Sequence, residues 1–209
     1  MNMQRNDWMG TPIGIPRDSS REQEVRLEML LKAANRSKDR RWYAVRVWTG
    51  REIAVEDALV ALGVETCLPM RMGPELRRRH RIIPPQPMPA IHGYVLVCMP
   101  PDGAVLGALR AIDYVVEVVG GLEHPMSLPD EEVMRFKALA DAGLYDWQHE
   151  VQQRWRVGEK AGIGAGIFWG AACEILSCRS DGCGDAVVLI SLLGKDVPVT
   201  VPLAILEKL

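Results

Sequence analysis

The sequence predicts an α+β protein, and two strand-like stretches with a helix between them carry that reading. In Arg41-Trp42-Tyr43-Ala44-Val45-Arg46-Val47-Trp48, residues Tyr43, Val45 and Val47 alternate with Trp42, Ala44, Arg46 and Trp48. That is the period-two pattern of a half-buried strand, and Thr49-Gly50 ends it. Glu52, Val55, Glu56, Ala58, Leu59 and Leu62 then recur at helical spacing. Gly63 follows where a helix end favours a residue tolerant of positive φ. His92-Gly93-Tyr94-Val95-Leu96-Val97 reads as a further strand of the same small domain.

The elements before and after this unit follow from local chemistry. Pro12, Gly14 and Pro16 interrupt regular structure near the start. Ser19 and Ser20, followed by Glu22 and Gln23, form a capping box that predicts a helix over residues 20–34. Its apolar stripe of Val25, Met29, Leu30 and Ala33 is expected to pack on the domain, with engagement of a partner as the alternative. Near the C-terminus, Gly162, Gly164, Gly166 and Gly170, followed by Val187, Val188 and Ile190, favour strands over helix.

Composition narrows the class. The 209 residues suit two small domains with tails, and 48% hydrophobic content is that of a globular protein. No apolar run approaches the roughly 20 residues of a spanning helix. The opening Met1-Asn2-Met3-Gln4-Arg5-Asn6-Asp7 lacks the basic-then-apolar order of a secretory signal, so a cytoplasmic location is expected. A net charge of −2 argues against nonspecific nucleic-acid binding by the whole surface, so any such contact is local. Cys173, Cys178 and Cys183 are spaced C-x4-C-x4-C but lack a paired C-x2-C knuckle or nearby histidine. Free cysteines, with no metal or cofactor, are therefore expected.

The succession of landmarks is specific. Trp42-Tyr43, Gly50 and Glu52 are followed by Val64-Glu65-Thr66-Cys67-Leu68-Pro69-Met70 and by Gly93-Tyr94-Val95-Leu96-Val97. Then come Tyr114 to Gly121, Pro125, Leu128 and a helix opened by Pro129-Asp130-Glu131-Glu132-Val133. In this order they resemble the N-terminal domain of NusG-family transcription elongation and antitermination factors. The resemblance implies a NusG-type antiparallel sheet flanked by helices over residues 41–142, after an N-terminal extension of residues 1–40. It also implies a flexible linker, 143–154, and a small KOW-type, Tudor-like five-stranded β-barrel over 155–209.

Matching pieces stand in the C-terminal stretch. Val157-Gly158-Glu159-Lys160 resembles the family's opening turn of that barrel, and Gly166-Ile167-Phe168-Trp169-Gly170 its Gly-Pro-Phe-x-Gly loop. Leu193-Gly194-Lys195 with Pro198-Val199-Thr200-Val201 resembles its last hairpin. Ile167 replaces the usual proline and Cys173 the usual glycine, and the loss of that glycine is similar to specialised paralogues such as the RfaH-like members.

The resemblance also implies partners. Ile91, Tyr94, Leu96 and Val118 are expected to contribute to an apolar depression that grips the β′ clamp helices of bacterial RNA polymerase. Arg77, Arg78, Arg79, His80 and Arg81 are expected to lie on a hairpin that either faces non-template DNA or an acidic patch of the polymerase, or is a solvated, charged edge that discourages strand-to-strand aggregation. Phe168, Leu193 and Lys195 occupy positions resembling loops that recruit Rho or the ribosomal protein NusE. The sequence alone leaves open whether the face of Tyr94 and Leu96 fills a core or forms a groove.

Catalytic constellations are absent from the sequence. It contains no G-x-x-x-x-G-K-[ST] loop, no G-x-S-x-G elbow and no H-E-x-x-H motif, and no enzyme is expected. Gly162-Ile163-Gly164-Ala165-Gly166 is a weak match to a dinucleotide-binding run, better explained as turns between barrel strands. The alternative function is a KOW-containing RNA- or ribosome-binding protein outside transcription.

Overall fold

The computed structural model describes residues 17–79, 81–192 and 194–209, and side chains from residue 25 onward except 26. His80, Leu193, the Pro12-to-Pro16 stretch and the side chains of the Ser19–Gln23 capping box lie outside that description. Among the described residues, no helix is long and apolar enough to cross a membrane.

The N-terminal part runs α1 (Arg17–Ala34), β1 (Arg41–Val47), α2 (Glu52–Ala61), β2 (Glu65–Cys67), β3 (Met70–Met72), β4 (Leu76–Arg78), β5 (Arg81–Ile83), β6 (Pro87–Pro89) and β7 (Tyr94–Met99). It continues through α3 (Gly103–Ala108), β8 (Val115–Val118), β9 (Ser127–Leu128) and α4 (Asp130–Asp141). Its central antiparallel sheet has the order β2-β7-β1-β8, with β9 also paired to β1. β3 pairs with β6, and β4 with β5, as separate ribbons. The C-terminal part comprises β10 (Lys160–Ile163), β11 (Ala172–Cys178), β12 (Asp185–Leu192), β13 (Lys195–Pro202) and β14 (Leu206–Lys208). These five antiparallel strands follow the order β13-β12-β11-β10-β14, and the helical turn Leu203–Ile205 brings β14 back to β10. The expected α+β sheet and five-stranded unit are both present.

Alternation divides the central sheet between two cores. Tyr43, Val45 and Val47 of β1 and Val95, Val97 and Met99 of β7 face one side with Val55, Leu59, Val105, Leu106 and Leu109 from the helices. Leu31 and Ala34 of α1 complete this cluster, with Leu27 packed against it. The packing stripe of α1 is thus Leu27, Leu31 and Ala34, at i, i+4 and i+7. The expected stripe is out of phase: Val25, Met29 and Leu30 are 44%, 68% and 36% exposed, and Ala33 is also exposed.

On the other side of the sheet, Trp42, Ala44, Tyr94, Leu96, Cys98 and Cys67 join Val133, Phe136 and Ala140 of α4. They form one continuous cluster with the interior of the β10–β14 unit.

The segment expected as a flexible linker is packed. Met72 N–H donates to Asp146 Oδ1 (2.7 Å) and Trp147 N–H to Met72 O (2.9 Å), while Val151 N–H donates to Gly182 O (3.0 Å). Tyr145 is 2% exposed. This stretch therefore bonds to both halves of the molecule, which a Gly/Ser-poor sequence with three aromatic-sized anchors permits.

Candidate functional site

Register decides which expected residues meet. Tyr94 lies opposite Arg46 and Leu96 opposite Ala44, whereas Val118 lies opposite Val45. Directly paired residues share a face, so Val118 belongs with Val45 on the helix side and is buried in that core. Of the four residues proposed for the apolar depression, Ile91, Tyr94 and Leu96 come together and Val118 does not. An extra residue, Val116, sits in β8 where the register against β1 shifts between Arg46 and Val47, so counting along the chain could not align these strands.

The barrel covers the face that Ile91, Tyr94 and Leu96 share. Phe168, in the loop between β10 and β11, meets Tyr94 edge to face, with ring centroids 5.3 Å apart and planes at 90°. Gly166 adopts φ +86°, and a Cβ there would lie 3.0 Å from Ile91 Cδ1 and 3.3 Å from the Phe136 ring. Its backbone is therefore pressed into the pocket between those side chains, a close approach that only glycine makes without displacement. Tyr94 is 9% exposed and Phe168 1%. Burial pushes the Tyr94 phenol up, so it stays protonated. Phe168, expected as part of a recruiting loop, is consequently sequestered.

Polar pins surround this contact. Arg71, on β3 and 3% exposed, places Nη1 2.8 Å from Asp185 Oδ1 and donates through Nη2 to Asp185 Oδ2 at 2.8 Å. Its Nη1 also donates to Tyr145 O (3.3 Å), and Arg135 Nη1 donates to Gly164 O (3.4 Å). One hydrogen bond and one close ion contact thus tie the guanidinium to the carboxylate. Sequence reading missed Arg71, Asp185, Phe136 and Gly166 as a group. The available signal was a single arginine between two methionines in a short apolar strand.

The basic ribbon is open to solvent. Arg77, Arg78, Arg79 and Arg81 are exposed on β4, β5 and the turn between them. Arg77 Nε lies 3.4 Å from Glu75 Oε1, while Arg78, Arg79 and Arg81 make no ion pair among the described residues. Lys195 is exposed at the start of β13. The five cysteines are free, and Cys67, Cys98 and Cys173 are buried. Burial pushes the Cys67 thiol up to about 11, so it behaves as an inert apolar group. Among the described residues no three His, Cys, Asp or Glu side chains converge as a metal site.

The antiparallel sheet thus carries α1, α2 and α3 on one face, and α4 together with the small β unit on the other, where aromatic and ion-pair contacts join them. Residues 40–137 match the family described as transcription termination factor nusG, so this stretch is a NusG-family domain. Among solved structures, one titled for the domain interaction in Thermotoga maritima NusG is 24% identical and covers 82% of this chain and 98% of its own, with a TM-score of 0.41. The MjSpt4:Spt5 complex is 16% identical in two conformations. Conformation A covers 80% of this chain and 97% of its own, and conformation B 79% and 95%, both with a TM-score of 0.26. No curated protein matches the chain.

Proposed function

We propose that the chain is a transcription elongation factor that binds bacterial RNA polymerase through Ile91, Tyr94 and Leu96, and that its barrel leaves this face first. One observation carries the reading. An apolar sheet face is covered by α4 and by the β10–β14 unit, whose loop buries Phe168 and Gly166, where helices α1, α2 and α3 cover the opposite face.

In this reading a pair of polymerase clamp helices replaces the barrel loop. Only the open fraction binds, so the apparent affinity falls in proportion to that fraction. Preference for the elongating over the paused conformation then shifts the enzyme toward elongation, and no chemical step is needed. The exposed ribbon of Arg77, Arg78, Arg79 and Arg81 meets non-template DNA phosphates locally. The released barrel offers Phe168 and Lys195 to a second partner, Rho or NusE.

The test is co-elution with core RNA polymerase on a sizing column, comparing the full chain with residues 1–146. The fragment retains α1, whose Leu31 and Ala34 complete the helix-side core. The expected outcome is tighter binding by the fragment, which pays no opening penalty. A Tyr94→Ala/Leu96→Ala fragment with an unchanged circular-dichroism melt and full polymerase binding rejects this surface.

A further inference from the structure

A small cavity of about 180 Å³ lies in the seam where α4, the connecting stretch and the barrel meet. Leu139, Leu144 and Ile205 give it apolar wall, and Tyr145, Arg135 and Glu207 also line it.

Tyr145 is the member that its own surroundings leave incomplete. The residue is 2% exposed, yet its hydroxyl has no hydrogen-bond partner among the described residues. Buried phenols ordinarily pair their O–H, because a bare donor forfeits the water it had in the unfolded chain. The ring is fixed in place: it packs on Phe136, with centroids 5.3 Å apart at 46°, while the Tyr145 carbonyl accepts from Arg71 Nη1 (3.3 Å). Burial pushes the phenol up and the Arg135 charge lowers it by less, so the hydroxyl stays a donor. Arg135 therefore stands close to the hydroxyl, and both belong to this cavity.

Charge here is already balanced. Arg135 places Nη1 3.5 Å from Glu132 Oε2 and donates through the same nitrogen to Gly164 O (3.4 Å). A Cβ on Gly164 would collide with the Glu207 carboxylate, so a second acid lies across that backbone. An anion in the cavity meets these two carboxylates, whereas a cation meets the guanidinium and leaves the Tyr145 donor unanswered. A neutral oxygen acceptor avoids both costs.

We propose that this seam binds a small, neutral, mostly apolar amide or ketone, whose carbonyl oxygen accepts from the Tyr145 hydroxyl while its hydrocarbon body packs on Leu139, Leu144 and Ile205. The size agrees, since an apolar cavity of about 150 Å³ holds benzene and this one leaves room for a polar substituent. Water fills such a space poorly, because each molecule needs two to four polar partners. The bound molecule touches α4, the connecting stretch and the barrel at once, so it stabilises their docked arrangement by mass action. None of these residues belongs to the proposed polymerase surface, and the site does not rest on that reading.

The experiment titrates benzamide, and separately isovaleramide, into the isotope-labelled full chain while amide chemical shifts are followed into the millimolar range. Saturable shifts centred on residues 139–145 and 204–207 are expected. Tyr145→Phe removes only the hydroxyl and is expected to weaken benzamide binding about tenfold with an unchanged thermal melt, the effect of one lost hydrogen bond. Ala204→Leu, which fills the cavity from a partly exposed turn, is expected to abolish binding. Benzoate, the charged counterpart of the same shape, is expected to bind more weakly than benzamide. Absence of saturable shifts with both amides leaves the seam to water and overturns the proposal, as does equal affinity in Tyr145→Phe. Benzoate binding as tightly as benzamide overturns the assignment to a neutral ligand. No polymerase enters the titration, so this site and the proposed function fail independently.

Discussion

The two faces of one sheet are buried in different ways. On the helix side, Tyr43, Val45, Val95 and Val97 meet Leu31, Leu59 and Leu106 in an apolar cluster. On the barrel side, Trp42, Ala44, Tyr94 and Leu96 meet α4 and the β10–β14 unit across a border that holds Arg71, Asp185 and a glycine pressed between side chains. A permanent core has no use for a desolvated charge pair, which contributes little net stability but sets one orientation. The contrast teaches that equal burial is built in different ways: one face is closed by helices, the other by a helix and a β unit with a charge pair at its border.

Substitutions can separate the two kinds of burial. Leu59→Ala is expected to destabilise the N-terminal domain by about 2–5 kcal/mol in urea denaturation, because the helix-side core cannot refill the space. Next in size, Arg71→Ala leaves Asp185 without its partner, and breaking such a pair costs about 3–5 kcal/mol when both groups are fully desolvated. Asp185, with 14% of its side chain exposed, can regain water, so less is expected here. The observable is faster proteolysis between residues 143 and 154 with little change in the melt of either domain. Arg71→Met with Asp185→Leu should restore protection, since an apolar pair can replace a buried ionic one.

A third, smaller effect is alkaline. The Cys67 thiol is held up to about 11, against an ordinary 9.0, so at intermediate pH the folded state keeps a proton that the unfolded state loses. Stability is therefore expected to fall as pH rises from about 9 to 11, and Cys67→Ala should flatten that decline in a pH series of urea melts. Smallest of all, alanine at Arg78, Arg79 and Arg81 should change stability by less than about 0.5 kcal/mol. The same change is expected to reduce the salt slope of DNA binding, measured by anisotropy.

Much of the architecture was legible because it depends on local periodicity. The alternation of Trp42 to Val47, the spacing of Val55 and Leu59, and Gly63 at φ +77° are properties of neighbours in the chain. Tyr94 and Leu96 could be assigned to one face by parity, yet which face needed the pairing of β7 with β1. Val118 went astray for the same reason, since only its pairing with Val45 gives its side. The phase of α1 could not be chosen because Val25, Met29 and Leu30 are as apolar as the residues that pack. Arg71 and Asp185 lie 114 positions apart, and no spacing rule joins them. Phe168 reads from sequence as an exposed loop aromatic, and only the docked barrel shows its ring against Tyr94.

The connecting segment bonds to Met72 at one end and to Gly182 at the other. Once its bonds to one side are released, a chain of that length spans roughly 20 Å on average, which keeps the barrel at a local concentration in the millimolar range. Dilution therefore cannot hold the molecule open. On the proposed opening, a competitor for one of the two surfaces can, and on its departure the barrel would return at a rate independent of how many other copies the solution contains.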